Sequence, residues 1–281
     1  MERQERRSRI FLLLAFLLTL ISLGLLAAAM GSEYWVQAAM RYKDPAAMNL
    51  NGDSVTVSYA HHGLFGGELR HEARVIRIRQ DIAIRCDASA RTCRYNSVDP
   101  ATGQVALTEG LNNMSFSEYC DPSLQYSGSL LKPGEISFWS WIVVVIFLSL
   151  AMLFGLVAAV FTMVNVLYVP ISDFVGIAGV YVWNIAAAIS TLITLCVWAG
   201  LYYTHLRYNI LPSLILSSNF LTSCGMAQHG VAVWLCLAAL LLFFANVVLV
   251  RLRRGGRGLI ARNKKSAFGR KEYRKGEETL Y

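Results

Sequence analysis

The stretch FWSWIVVVIFLSLAMLFGLVAAVFTMV, residues 138–164, decides the fold class of this chain because it contains no Asp, Glu, Lys or Arg. About 20 helical residues cross a hydrocarbon core that is roughly 30 Å thick, so the stretch is long enough to span a bilayer. It must be helical there, because each unpaired backbone group in lipid costs several kcal/mol. The stretch therefore predicts a transmembrane helix.

Three further uncharged stretches predict three more transmembrane helices, which makes this a membrane all-α four-helix transmembrane bundle. A cleavable signal peptide is the alternative for the first of them, although its apolar run exceeds the usual length of a signal sequence. The stretches are IFLLLAFLLTLISLGLLAAAMG (10–31), VGIAGVYVWNIAAAISTLITLCVWAGLYY (175–203) and GVAVWLCLAALLLFFANVVLV (230–250).

Basic residues predict the orientation of the bundle. Residues 1–9 carry four arginines, and residues 251–281 carry eleven basic residues against three acidic ones. Positively charged flanks stay in the cytoplasm, so both ends are predicted to be cytoplasmic. Residues 32–137 and 204–229 are then extracellular, and residues 165–174 form a cytoplasmic turn.

The net charge of +8 lies mostly in the C-terminal tail. A basic segment beside a membrane helix is typical of contact with anionic lipid, so the bilayer of the plasma membrane is the expected partner and nucleic acid is not. The basic residues predicted to face lipid are Arg251, Arg253, Arg254, Lys264 and Lys265.

The long extracellular segment is predicted to form a small antiparallel β-sheet. Apolar and polar residues alternate in SEYWVQAAM, DSVTVSYAHHGLF, RVIRIRQDIAI and QVALTEGL, and β-branched residues are frequent in them. The stretches NGDSV (51–55) and DPATGQV (99–105) are turn signals. Because a two-stranded hairpin alone is marginally stable, we expect three or more strands.

Four of the six cysteines fall in the predicted extracellular segments, where disulfides are expected. Cys86 and Cys93 have a spacing that fits neighbouring strands joined by the turn DASART, and Cys120 with Cys224 would then link the two segments. Four cysteines allow three connectivities, and the sequence does not choose among them. Asn113 begins an Asn-Met-Ser acceptor for N-glycosylation.

The four spans contain none of the charged residues that mark an ion or proton path. Their most polar residues, Asn184 and Asn246, are predicted to form hydrogen bonds between helices, and the spacing of Gly24 and Ala28 predicts close helix packing. No zinc-ligand spacing, nucleophile elbow, P-loop or paired carboxylate occurs. We therefore expect a protein that is not an enzyme and carries no cofactor or metal.

Several short motifs recur at positions typical of one membrane protein family. Trp35 follows the first span, Gly63-Leu64-Phe65 lies further along the same segment, and the third span contains Trp183-Asn184. This pattern resembles the claudin-like tetraspan superfamily, in which a tryptophan and a Gly-Leu-Trp motif precede a disulfide. Phe65 in place of tryptophan, the Trp-Asn pair and the final Leu280-Tyr281 are similar to the clarin family.

The resemblance implies a function in membrane organisation. Clarins are membrane-organising proteins of sensory cells, linked to synapses, hair bundles and the actin cytoskeleton, so another membrane protein is an expected partner. The resemblance also implies that Leu64 and Phe65 pack at the membrane boundary and join the sheet to the bundle. An auxiliary subunit of an ion channel and a claudin-like cell-junction protein remain alternatives.

The C-terminal residues Thr279, Leu280 and Tyr281 suggest a second partner. PDZ domains bind a C-terminal peptide as an added strand and hold its carboxylate with backbone amides. Tyr281 would fill the apolar pocket, and Thr279 would face the same way because side chains alternate along a strand. The tail is therefore predicted to recruit a cytoplasmic PDZ scaffold.

Overall fold

Four helices long and apolar enough to cross a membrane dominate the computed structural model, which describes residues 2–42, 57–72, 77–98, 135–167, 176–208, 210 and 221–252. They are α1 (Glu2–Gly31), α2 (Phe138–Leu167), α3 (Ile177–Leu201) and α4 (Val231–Leu252). Large apolar side chains such as Leu17, Leu153 and Leu241 are more than half exposed on their surfaces. Four such helices fit the predicted membrane bundle, because in lipid an exposed leucine costs nothing.

The start of α1 and the end of α3 differ from the predicted spans. α1 begins at Glu2, so residues predicted as a short stub before the first span are helical. α3 is followed at once by a single turn of π-helix, Tyr202–Leu206, at the end of the third candidate span. Such short π turns occur frequently at functional positions in helices.

The chain divides into two compact units, and each helix contributes one segment to each of them. We name the first the helical unit, formed by Met1–Leu23, Leu153–Ala188 and Leu240–Tyr281. The second, the sheet unit, is formed by Gly24–Met152 and Ile189–Ala239 and contains all the strands described below.

The sheet unit holds a seven-stranded antiparallel sheet with the order β7-β6-β5-β4-β3-β1-β9 and a two-stranded ribbon of β2 and β8. The strands are β1 (Val36–Ala39), β2 (Arg41–Tyr42), β3 (Val57–His62), β4 (Gly66–Glu72), β5 (Arg77–Asp87), β6 (Thr92–Val98), β7 (Glu135–Ser137), β8 (Leu221–Thr222) and β9 (Ala227–His229).

The predicted antiparallel sheet is present, but it is not formed by residues 32–137 alone. The segment between α3 and α4 contributes β9, which pairs with β1 at the edge of the sheet, and β8, which pairs with β2 in the separate ribbon. β4 was also missed, because its Gly-Gly start reads as a turn. The predicted strand QVALTEGL lies outside the described residues.

The central strands have one apolar buried face. Val36 on β1, Ala60 on β3, Leu69 on β4 and Ile82 on β5 are each at most 3% exposed. The residues adjacent to them in sequence project from the opposite face, which carries Glu68, Arg70 and Arg79, because successive side chains alternate. This opposite face is named the polar face.

The predicted disulfide between Cys86 and Cys93 is confirmed. The two residues are direct partners on β5 and β6, and their Cα atoms are 3.9 Å apart, closer than the usual range of roughly 4.4–6.8 Å. Cys224 is also disulfide-bonded, whereas its predicted partner Cys120 lies outside the described residues. Cys196 and Cys236 are free thiols.

Removing the β5–β6 disulfide is expected to lower the stability of the sheet unit. A cross-link that closes a short loop restricts the unfolded chain, so the double variant Cys86→Ser/Cys93→Ser should lose about 2 kcal/mol of unfolding free energy. The midpoint of thermal unfolding of the purified full chain measures the loss. Cys196→Ser, which removes a free exposed thiol, is the control, and equal midpoints for the two variants would contradict the prediction.

Candidate functional site

The turn between β3 and β4, residues 63–65, joins the sheet to α2. The Gly63 amide donates to the Gly66 carbonyl at 2.7 Å, which closes the turn. Leu64 is 1% exposed, and its carbonyl accepts a hydrogen bond of 2.7 Å from the indole nitrogen of Trp141 near the start of α2. Phe65 is half exposed and meets the Trp141 ring edge-on. Leu64 and Phe65 therefore have different structural roles. Leu64 packs in the interior, and Phe65 packs against the Trp141 ring.

Glycine is required on both sides of this turn. A Cβ atom on Gly63 would lie 2.1 Å from the Ser32 carbonyl oxygen, and one on Gly67 would lie 2.1 Å from that of His61. Both obstacles are backbone atoms, which cannot move aside as a flexible side chain can. Gly63 and Gly67 thus let neighbouring backbones approach each other closely. Glycine is needed at both positions because it has no Cβ atom, and not because it is flexible.

Trp35 occupies the other side of the junction. Its side chain is fully buried, its indole nitrogen donates to the Ala29 carbonyl at 2.7 Å, and its ring meets Trp198 of α3 edge-on with centroids 4.8 Å apart. Its own backbone amide donates to His62 at the end of β3. Trp35 therefore ties together the end of α1, the sheet and α3. We name the set Trp35, Gly63, Leu64, Phe65, Gly67 and Trp141 the GLF junction.

The π turn after α3 positions the last strand. The Tyr202 hydroxyl donates to the Ala227 carbonyl at 2.7 Å, and the His229 ring packs on Tyr202 with centroids 3.9 Å apart. Burial lowers the pKa of His229. Gly230 then passes so close to Tyr34 that a Cβ atom would lie 2.1 Å from its carbonyl oxygen. These contacts hold β9 in register beside β1.

In the helical unit, Trp183 and Asn184 of α3 contact two other helices, α2 and α4. The Trp183 ring packs against Phe154 and Phe161 of α2. Asn184 is fully buried, and its side-chain oxygen accepts a hydrogen bond of 3.2 Å from Asn246 of α4. The predicted hydrogen bonds between helices are therefore confirmed. The Asn246 amide also contacts α1, at the Thr19 hydroxyl and the Ala15 carbonyl.

Replacing Asn246 by leucine is expected to destabilise the helical unit by about 1 kcal/mol, which is typical of hydrogen bonds between membrane helices. The variant removes every bond that the Asn246 amide makes to α1 and α3. Ser149→Ala is the control, because the Ser149 hydroxyl bonds only to the carbonyl four residues earlier in its own helix. Equilibrium unfolding in mixed micelles measures both, and a loss no larger than that of Ser149→Ala would count against the role of Asn246.

The polar face carries a compact ionic cluster, which we name the polar cluster: Glu33, His61, Glu68, Arg70 and Arg79. The Glu68 carboxylate is 9% exposed, accepts a hydrogen bond from Arg70, and lies 2.9 Å from Nε of Arg79. Burial acts to raise the pKa of Glu68, but the hydrogen bond from Arg70 and the two guanidinium charges outweigh it and lower that pKa. Glu68 is therefore ionised at neutral pH and holds two arginines in place.

Two neighbouring histidines project from opposite faces of β3. His61 stacks in parallel on Tyr34 with centroids 4.1 Å apart, and burial lowers its pKa despite the nearby Glu68 and Glu33. His62 is 1% exposed, and burial lowers its pKa to about 4. The Nδ1 atom of His62 donates to the Gly63 carbonyl at 3.0 Å, because a carbonyl only accepts. His62 is thus a neutral buried histidine in contact with the GLF junction.

The described residues place the predicted site residues in several locations. Trp35, Gly63, Leu64 and Phe65 meet in one junction, whereas Trp183 and Asn184 lie in the helical unit. Arg251 is exposed at the end of α4 and donates to the Tyr181 hydroxyl at 3.2 Å. The remaining ones lie outside the described residues: Cys120, Asn113, Arg253, Arg254, Lys264, Lys265, Thr279, Leu280 and Tyr281.

Gly24 does not take part in close helix packing, which corrects the prediction made from its spacing with Ala28. Both residues are exposed, and nothing lies within 4 Å of a Cβ atom built on Gly24. The close approach occurs at Gly155 of α2, where a Cβ atom would lie 2.9 Å from the Leu23 side chain and 3.2 Å from that of Phe243. Spacing alone did not show which face of α1 pointed outward.

Sequence reasoning missed four residues of these contacts: Gly67, Trp141, Trp198 and Gly230. Each forms part of a contact between segments distant in sequence, and only the Gly-Gly pair at 66–67 gave a local signal. The contacts in the sheet unit are buried aromatic packing, backbone hydrogen bonds and partly buried ion pairs. Contacts of these kinds can fix a sheet on helices. Among the described residues, no three His, Cys, Asp or Glu side chains are grouped as a metal site would need.

No protein-family model matches the chain. No curated protein matches it either.

Proposed function

We propose that this chain is a clarin-like tetraspan that organises membrane protein complexes without catalysing a reaction, and that it links them to a cytoplasmic scaffold. One observation carries the proposal. Among the residues on which the resemblance depends, Trp35, Leu64 and Asn184 are buried. Trp35 and Leu64 take part in contacts that join the sheet to α1, α2 and α3, and Asn184 joins α3 to α4. Such a chain presents a rigid sheet whose polar face is available to a partner.

The polar face supports an organising role because its charges are ordered. Arg79 is 68% exposed in its side chain although its guanidinium is fixed by Glu68, and Arg94 is 56% exposed although it bonds to Glu135 at 2.9 Å. Charged groups that are held in place before binding lose little conformational entropy when a partner arrives. The partner we propose is the extracellular part of another membrane protein.

Affinity purification of the tagged full chain from native membranes tests the proposal. We expect one membrane protein and one cytoplasmic PDZ scaffold to co-purify, with Tyr281→Asp losing only the scaffold. A pore-forming partner whose gating the chain alters would favour an auxiliary channel subunit, and sealing of adjacent cells that both express the chain would favour a junction protein. Co-purification of neither class of partner would refute the organiser proposal.

The proposed orientation places both ends in the cytoplasm and Asn113 outside, which predicts a glycan on Asn113. Asn113→Gln should then migrate faster on a gel by the mass of one glycan, and glycosidase treatment should bring wild type and variant to the same position. If wild type and variant migrate identically before treatment, the glycan is absent, and a C-terminal epitope stained in unpermeabilised cells would overturn the orientation itself.

The tail is proposed to act on the cytoplasmic side through two contacts. Basic residues near α4 would bind anionic lipid at about 1 kcal/mol each, and Thr279 to Tyr281 would enter a PDZ groove. A C-terminally amidated tail peptide should lose PDZ binding, because the carboxylate is then absent.

A further inference from the structure

Arg251 and Tyr181 form a contact at one end of the helical unit. Arg251 is the first charged residue after the uncharged run of α4, and Tyr181 lies close to the start of α3. The Arg251 Nη1 atom donates to the Tyr181 hydroxyl oxygen at 3.2 Å. The arginine is exposed and the tyrosine is half-buried. The phenol therefore holds the guanidinium against the helix surface instead of leaving it free in solvent.

The position of this pair along the helices follows from the bonds of Asn246. Asn246 contacts Asn184, which places these two residues at one level. With a rise of about 1.5 Å per residue, Arg251 lies roughly 7 Å beyond that level on α4, and Tyr181 roughly 4 Å beyond it on α3. A long arginine side chain spans the difference. The pair thus marks the place where the apolar surface of both helices ends.

Among the described side chains of the helical unit, Arg251 has no acidic partner. Residues 9–23, 153–167, 176–188 and 240–252, whose side chains form the described part of the helical unit, include no Asp or Glu. The guanidinium carries five N–H donors, of which one is used by Tyr181, and the Tyr181 hydroxyl still has its own hydrogen to donate. A guanidinium and a phenol, both able to donate hydrogen bonds, are thus adjacent at the end of the two helices.

Apolar side chains flank the pair on the same helices. Val182 is 57% exposed, Val248 55% and Leu252 63%. A ligand that satisfies both features has an anionic head with several acceptor oxygens and an apolar body. A phosphate group matches the fork of an arginine, and acyl chains match the exposed aliphatic surface.

We propose that Arg251 and Tyr181 bind the phosphate of an anionic phospholipid at the membrane surface, with its acyl chains against Val182, Val248 and Leu252. This inference deepens the proposed contact of the tail with lipid and rests on insertion of the four helices in a bilayer. It adds Tyr181 as the residue that orients the arginine, and it makes the contact a defined site instead of a diffuse attraction.

Native mass spectrometry of the full chain released from nanodiscs tests the site. The nanodiscs contain phosphatidylcholine mixed with phosphatidylserine or with a phosphatidylinositol phosphate, and the bound lipids are counted. Wild type should retain the anionic lipid in preference to phosphatidylcholine. Arg251→Gln should reduce that preference about five-fold, and Tyr181→Phe, which removes only a hydroxyl, about two- to three-fold. Tyr203→Phe, at an exposed tyrosine in the sheet unit, should leave it unchanged.

Two further arms separate the possible sources of phosphate. Inorganic phosphate or a soluble inositol phosphate in excess should not displace the bound lipid, because neither offers acyl chains; displacement would show that the site binds free phosphate and would overturn the lipid assignment. Retention of the full preference in both Arg251→Gln and Tyr181→Phe would overturn the site. Lipid retention is measured without a protein partner. The organiser proposal can therefore fail while the lipid site is supported, and the lipid site can fail while the organiser proposal is supported.

Discussion

Replacing Gly67 by alanine is expected to prevent the sheet unit from folding normally. The new Cβ atom would lie 2.1 Å from the His61 carbonyl oxygen and 2.5 Å from the His62 Cα atom, so β3 and β4 would have to separate. Overpacking of a closed interior usually costs about 1–3 kcal/mol, and a clash with two backbone atoms lies at or above the upper end. We expect Gly67→Ala to lose most of its expression in membranes and its cooperative thermal unfolding transition.

Gly24→Ala is the matched control. Gly24 lies in α1 with nothing within 4 Å of its added Cβ atom, and alanine is a better helix former than glycine by about 1 kcal/mol. The control should therefore express and unfold like wild type, or be slightly more stable. Normal expression and an unchanged unfolding midpoint for Gly67→Ala would show that the strands do not pack as closely as described.

Acidification is expected to destabilise the fold through His62. In the unfolded chain a histidine has a pKa of about 6.5, whereas burial lowers the pKa of His62 in the folded chain to about 4. Between these two values the unfolded chain binds more protons than the folded chain. The stabilising contribution is therefore complete above about pH 6.5 and is lost as the pH falls toward 4. The difference between the two pKa values corresponds to a loss of unfolding free energy on the order of 3 kcal/mol.

His62→Gln should remove most of this acid dependence. Glutamine keeps a side-chain donor for the Gly63 carbonyl but does not become charged. Unfolding free energy measured across that pH range should fall steeply for wild type and less steeply for the variant, which keeps His61 and His229, whose pKa values burial also lowers. His61→Gln, on the opposite face of β3, should keep the steep fall. An equally steep fall in His62→Gln would assign the acid transition to other groups.

The helices were predictable because one physical constraint dominates them. A span in lipid needs about 20 uncharged residues, so the uncharged run at 138–164 predicts a helix from its own sequence, whatever segments pack against it. The sheet was partly predictable for a similar reason, since alternating residues mark β1, β3 and β5. β9 was not predictable, because three residues, Ala227–His229, carry no periodicity and become a strand only when β1 lies beside them.

Four of the six residues of the GLF junction were predictable in identity, whereas Gly67 and Trp141 were not. The resemblance singled out Trp35, Leu64 and Phe65, and the bonds to Ala29 and Trp141 give the physical reason for two of them. The polar cluster gave no signal, because Glu68, Arg70 and Arg79 look like ordinary alternating surface charges until the register of β4 and β5 brings them together. Arg251 was predicted to face lipid, whereas its contact with Tyr181 depends on how α3 packs on α4.

The position of β1 between β3 and β9 has a consequence for biosynthesis. The ribosome makes β1 and β3 early, but β9 is translated only after α2 and α3. During that interval β1 exposes an unpaired edge, which is a site for aggregation and for recognition by chaperones. Folding of the sheet is therefore completed only when the chain beyond α3 has emerged. On the proposed orientation, a nascent chain arrested before residue 227 should stay bound to luminal chaperones, and quality control can distinguish it from the finished protein by this one open strand.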